Sequence, residues 1–225
     1  RQQLHNSRDF QQGLRDFPRH LRYERLMLTH LAKQPRDYVG AFRTLPLKLR
    51  RIFVQAYQSV LFNRLLSRRV KQGFSLKHAQ VGDYVVELDK SGLPTEVSLQ
   101  VTANSATHIR RKLAENKMCV ALPLLGFKQS LSEGAQGEAE QEVTEAEGVN
   151  QRDFYITAMP EISAPGRLRA ALSPMMDLSI GRVTKDSRAS DKQEVQLGFT
   201  LYRGSYATVL LREFMKPRNL IESGF

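Results

Sequence analysis

The sequence predicts an α+β protein, and two contrasts along the chain carry that reading. Residues 1–75 repeat apolar positions at helical spacing, whereas from Gly82 onward short alternating runs stand between Gly, Pro and Asp turns. Residues 196–225 combine one strand-like run with one helix-like run across a glycine. At 225 residues the chain is long enough to bury a sizeable core, as one large domain or two small ones.

Residues 1–16, with Leu4, Phe10 and Leu14 apolar, read as one or two short helices broken near Asn6-Ser7. Phe17-Pro18 is expected to start a helix running to about Ala32, because Pro loses nothing in a first helical turn. Leu21, Leu28 and Leu31 share one face of it, and Arg19, Arg22 and Arg25 project elsewhere. Residues 37–42 make a connecting segment or a short helix. Pro46 opens the longest helix, to about Val70, with Ile52, Ala56, Val60 and Leu61 as its expected core stripe and Phe53 and Tyr57 as a neighbouring pair.

Strands are expected at 82–88, 97–102 and 118–126, with a turn at 89–92 and a helix over 105–116. The polar, acidic stretch 129–150 reads as an exposed loop or as a helix standing off the body. Residues 154–162 and 166–172 suggest two more strands, separated by a turn at Pro165-Gly166, and 177–193 reads as a charged, flexible return. Leu197, Phe199 and Leu201 then alternate as a strand, Gly204 turns the chain, and Ser205 is placed to cap a helix over 207–214. Such a corner exposes backbone N–H groups at a helix start, where anions are attracted.

The net charge of +11 is unevenly spread. Residues 1–75 hold 16 Lys/Arg against 4 Asp/Glu, while 130–148 hold six Glu and no basic residue. Basic surface concentrated on one third of the chain points to a polyanion, most simply nucleic acid. The single cysteine, Cys119, excludes an internal disulfide and a Cys-based zinc site, and its apolar flanks predict a buried, inert thiol in a reduced compartment. No apolar run approaches membrane-spanning length, and no signal peptide is evident. The five histidines never pair with an acid at zincin spacing. Glycine-rich phosphate loops are absent, and Ala207 stands where a nucleophile elbow needs its second Gly. No metal site is expected.

The run Arg203-Gly204-Ser205-Tyr206-Ala207-Thr208-Val209-Leu210-Leu211-Arg212-Glu213 resembles the closing motif of the TruD family of tRNA pseudouridine synthases. Tyr202 stands where the family usually has Pro. Phe17-Pro18-Arg19-His20-Leu21-Arg22-Tyr23-Glu24-Arg25 and Tyr57-Gln58-Ser59-Val60-Leu61-Phe62-Asn63 resemble the same family in its archaeal and eukaryotic branch. Looser points of match are Gly82-Asp83, the run 122–126 and Gly166-Arg167-Leu168-Arg169.

The resemblance implies a partial pseudouridine-synthase-type catalytic domain carrying an inserted α/β TRUD domain. Residues 1–76 would be the first catalytic part, 77–189 the insertion, and 190–225 the closing strand, turn and helix. It also implies a cytoplasmic isomerase that converts a uridine of tRNA, at position 13, to pseudouridine without a cofactor and with no obligate protein partner. Such an enzyme must unstack its target nucleotide and hold the base by stacking and edge hydrogen bonds. The family's nucleophilic aspartate lies in a Gly-x-Lys-Asp motif, which this sequence lacks. The chain opens at Arg1 inside a helical pattern, so the nucleophile is expected upstream and the chain as the second portion of the enzyme.

The expected site residues are therefore on the substrate side. Tyr206 would lie against the target base, with Gly204 and Ser205 presenting backbone and hydroxyl groups to RNA. Arg212 would hold a phosphate or orient the catalytic carboxylate, with Glu213 beside it to neutralise it. Gln58 and Asn63 either hydrogen-bond within the core or line the cleft floor. Arg22, Arg25, Arg51, Arg68, Arg167 and Arg169 are weaker candidates for an RNA groove. The alternatives are a non-catalytic RNA-binding protein that keeps the fold and, further off, an unrelated basic scaffold.

Overall fold

A computed structural model describes residues 2–186, 192–202 and 205–223. They fall into two compact units, Arg1–Ala171 and Leu172–Phe225.

The first unit begins with a helical lobe: α1 (Gln2–Ser7), α2 (Phe10–Asp16), α3 (Arg22–Lys33) and α4 (Tyr38–Arg43). The break after Ser7 is made by Arg8 at φ 53° and by Asp9, whose carboxylate accepts from Gln12 N–H to cap α2. The helix expected from Phe17-Pro18 starts later, at Arg22. Phe17 N–H closes α2 on Gly13 O, and the Arg25 guanidinium donates to Leu14 O at 2.6 Å and Phe17 O at 2.8 Å. Residues 18–21 are thereby spent on a turn. Asp37 caps α4 by accepting from Gly40 N–H, and its other oxygen meets His30 Nε2 at 2.8 Å.

Helix α5 (Leu47–Lys71) runs against a four-stranded antiparallel sheet. The strands are β1 (Tyr84–Leu88), β2 (Pro94–Gln100), β3 (Met118–Leu124) and β4 (Arg167–Ala170), in the order β2-β1-β3-β4. Val85 pairs with Val120, and Leu122 with Arg169, fixing which residues face the helices. Helix α6 (Ala106–Ala114) supplies Ile109 and Leu113 to a core that includes Leu61, Leu65, Val85, Val120 and Leu122.

The stripe of α5 that packs differs from the expected one. Gln58, Leu61, Phe62, Leu65 and Arg69 are buried, whereas Ile52 is 55% and Val60 45% exposed, and Ala56 is exposed as well. The helix is apolar over much of its circumference, so periodicity could not choose between two faces. Its contacts with β3 and with α7 (Gly134–Ala146) decide the matter.

Helix α7 is the acidic stretch, and it packs rather than standing off. Gln136, Ala139 and Glu140 are at most 2% exposed, and Arg64 and Arg68 of α5 form ion pairs with Glu147 and Glu142. Negative charge from one segment thus lies on positive charge from another. Gly82, at φ 95°, lets the chain pass under α7: a side chain there would run into the Glu133 carbonyl oxygen.

Residues 154–162 are not a strand. Two 3-10 turns, Gln151–Phe154 and Pro160–Ile162, take their place. A reciprocal cap between Asn150 and Asp153 starts the first, and Pro160 opens the second.

The second unit holds a two-stranded antiparallel hairpin, β5 (Met175–Lys185) and β6 (Gln193–Leu201), followed by α8 (Ala207–Met215). Residues 175–185 thus form a paired strand where a flexible return was expected, because β6 supplies ladder partners from Leu201 back to Gln193.

Candidate nucleic-acid interface

In the second unit, β6 ends at Leu201, and α8 begins after Tyr206, which takes the N-cap position in extended conformation. Ser205 does not cap the helix. Its N–H donates to Tyr202 O at 3.0 Å, and its hydroxyl lies 2.6 Å from that of Ser173. Helix α8 has no side-chain cap and no acid in its first turn, so among the described residues no acid of its own first turn meets its first N–H groups. Tyr206 is 66% exposed. Arg212 is half-buried, and Glu213 pairs with Lys216 rather than neutralising Arg212 alone; the Lys216 ammonium is the main reason its carboxyl titrates below the usual range. Gly204 lies outside the described residues.

In the first unit, Gln58 and Asn63 point to different environments. Gln58 is 4% exposed and donates through Nε2 to Leu125 O, where β3 ends. Asn63 is exposed, eleven positions after Ile52 and so nearly in line with it on α5. Gln58 therefore serves the core, and Asn63 is open to a ligand.

The six arginines divide in the same way. Arg22 and Arg167 are exposed. Arg25 closes α2, Arg68 pairs with Glu142, and the Arg169 guanidinium lies 4.8 Å from the centre of the Phe62 ring. Arg51 is exposed, yet its Nε donates to Glu161 O at 3.1 Å.

Sequence reasoning missed the group around Glu161. Arg50 Nη1 meets its carboxylate at 2.6 Å, Arg43 Nε lies at 3.7 Å, and Arg43 Nη2 donates to Ala158 O at 2.8 Å. The Glu161 N–H and the Arg50 guanidinium hold its carboxyl below the usual range. Two guanidiniums on the carboxylate, and a third on the same residue's carbonyl, leave an excess of positive charge on the loop that carries an exposed Tyr155. No local motif announces this group, since its members come from opposite ends of the unit's sequence.

Asp83, of the Gly82-Asp83 pair, has no free carboxylate to offer as a nucleophile. Arg69 holds both oxygens, and Gln80 N–H adds a third bond at 2.8 Å. Cys119 is half-buried rather than buried as expected, and the burial it has pushes its thiol up, away from the reactive thiolate. Among the described residues no group of His, Cys, Asp or Glu could hold a metal ion, and no helix is long and apolar enough to cross a membrane.

The family model described as tRNA pseudouridine synthase D (TruD) matches residues 1–214. A Methanococcoides burtonii protein named "Probable tRNA pseudouridine synthase D" is 37% identical over 221 residues, covering 98% of this chain and 50% of the relative. A Methanopyrus kandleri protein of the same name is 41% identical over 207 residues, covering 92% of this chain and 42% of the relative. The crystal structure of the Methanosarcina mazei TruD protein superposes with a TM-score of 0.88 at 35% identity, over 96% of this chain and 49% of that one. The chain thus spans about half the length of the curated relatives it matches.

Proposed function

The chain belongs to the TruD family of tRNA pseudouridine synthases, and on that premise we propose that it is the second, substrate-holding portion of an enzyme that isomerises uridine to pseudouridine in tRNA. The observation that supports this most is the family match over residues 1–214. Position 13 is the uridine we propose, by family resemblance.

In the reaction an aspartate acts at the glycosidic carbon. The C1′–N1 bond breaks, the base rotates, a C1′–C5 bond forms, the C5 proton leaves to solvent, and N1 takes up a proton from solvent. Atoms and oxidation state balance, so the proposal calls for no cofactor. We assign the nucleophile to a Gly-x-Lys-Asp segment outside this chain, since the sequence holds no such motif and Asp83 is tied to Arg69.

Tyr206 is proposed to lie against the flipped base, and the uncapped start of α8, with the Ser205 hydroxyl, to face its phosphate or edge. Arg212 holds a phosphate or orients the nucleophile. Asn63 is proposed to contact the substrate, with Gln58 supporting its helix from within. The basic stretch 1–75 supplies sequence-independent attraction for tRNA. Residues 1–76 and 190–225 are proposed as catalytic-domain portions and 77–189 as the insertion. The cytoplasm is the proposed compartment, and no obligate protein partner is proposed.

The test is release of carbon-5 tritium from labelled uridine in tRNA transcripts by the complete gene product. Release by that protein, and none once the proposed upstream aspartate is changed to alanine, supports the synthase. No release with tRNA binding retained would instead favour an RNA-binding protein that keeps the fold.

A further inference from the structure

The loop 154–164 is closed on itself and tied to the body of its unit. Its neck is drawn shut by Ala164 N–H donating to Phe154 O at 3.0 Å and Ile156 N–H donating to the Ser163 hydroxyl at 2.9 Å. Phe154, Ile162 and Ala164 anchor it in the core. Arg43 and Arg51 grip it from outside through Ala158 O and Glu161 O. On this fixed frame stands Tyr155, 51% exposed, its ring in T-shaped contact with Phe127 at 5.4 Å. Phe127 is itself held, its N–H donating to Ala164 O at 3.0 Å.

The surroundings are cationic. Lys128 Nζ lies 5.7 Å from the Phe127 ring centre, and Arg43 keeps half of its side chain exposed. The two acids of the loop region are already engaged: Asp153 accepts from Asn150 N–H, and Glu161 is paired with Arg50. A pre-oriented aromatic ring among cations suits an unpaired nucleobase, because every base has a π face and its phosphates sit within reach of the rim. A protein-docking surface would call instead for a contiguous apolar patch around the tyrosine.

We propose that Tyr155 is a stacking platform for an unpaired base of the bound RNA, with Arg43, Arg51 and Lys128 taking the adjoining phosphates. This rests on the tRNA reading above and adds a contact region remote in sequence from the closing motif.

The experiment measures binding of an unmodified tRNA transcript to the complete gene product over a range of salt concentrations. Tyr155→Phe is expected to bind within about twofold of the original, whereas Tyr155→Ala loses about tenfold in affinity with an unchanged salt slope. Tyr155→Leu keeps apolar volume against Phe127 without a π face, and its affinity falls like that of the alanine variant even where alanine perturbs folding. Lys128→Gln is expected to reduce the log–log salt slope by roughly 0.7–0.9. If the original binds and both the alanine and leucine variants bind equally well, the platform is overturned while the tRNA reading stands. If the complete gene product with its original sequence binds no tRNA, both fall.

Discussion

Arg69 and Asp83 form a bidentate ion pair, with Nη1–Oδ1 at 2.8 Å and Nη2–Oδ2 at 2.7 Å and only 1% of either side chain exposed. The pair ties the end of α5 to the start of β1, and Arg69 also donates to Ser75 O and to Gln136 Oε1 of α7. The end of α5, the start of β1 and helix α7 are thus joined at one guanidinium. Asp83→Ala would strand this buried cation and should cost about 3–5 kcal/mol of unfolding free energy. Replacing both partners together, as Arg69→Met with Asp83→Leu, should cost less than Asp83→Ala. Urea unfolding of the two variants checks the order, and a double variant weaker than the single one would count against the pair as the joint.

A second buried acid gives a pH dependence. Glu140 is fully buried, and burial raises its carboxyl above the ordinary value of 4.5, against the opposing pull of bonds from Ser132 and Gln136. The folded protein therefore binds this proton more tightly than the unfolded chain does. The resulting stabilisation is complete below about pH 4.5 and is lost as pH rises through the raised folded value. Urea midpoints measured across pH should show this decline in the original and a flatter profile in Glu140→Gln; parallel profiles would contradict it.

The two faces of α5 make a packing prediction. Leu61, fully buried, should cost about 2–5 kcal/mol when replaced by alanine. Ile52→Ala and Val60→Ala, on the exposed face, should stay within about 0.5 kcal/mol. Denaturant unfolding of the three variants checks that Leu61, which both stripes share, is core, whereas Ile52 and Val60, expected beside it from spacing alone, are not.

For the site, Gln58 and Asn63 should part company. Gln58→Met leaves Leu125 O without its donor in a buried place and should destabilise by about 1–3 kcal/mol. Asn63→Ala and Tyr206→Ala, both exposed, should leave stability within about 0.5 kcal/mol. On the proposed function, the tyrosine change in the complete gene product should nonetheless lower tritium release by about tenfold, the worth of one stacked base. Thermal unfolding alongside the tritium assay distinguishes lost contact from lost folding.

Much of the secondary structure was legible where a local rule had no rival. Pro46 fixed the start of α5, the run 89–92 the turn between β1 and β2, and period-two alternation the closing strand. The reading failed where two local rules competed. Residues 154–162 alternate enough to suggest a strand, but the Asn150–Asp153 cap and Pro160 turn them into two short 3-10 segments. Ser205 has the right chemistry for a cap, yet its hydroxyl goes to Ser173, far back in the sequence.

By itself the sequence determined the α+β class, the basic character of the stretch 1–75 and, through its motifs, the family. These depend on residue type and short-range spacing. Only the tertiary structure decided which side of α5 is core, that acidic α7 lies on basic α5, and that Arg43, Arg50 and Arg51 converge on Glu161. The physical reason is common to all three. Each is a pairing between segments far apart in the chain, settled by which surfaces exclude water together and which charges neutralise one another, and no periodicity within a single segment records its partner.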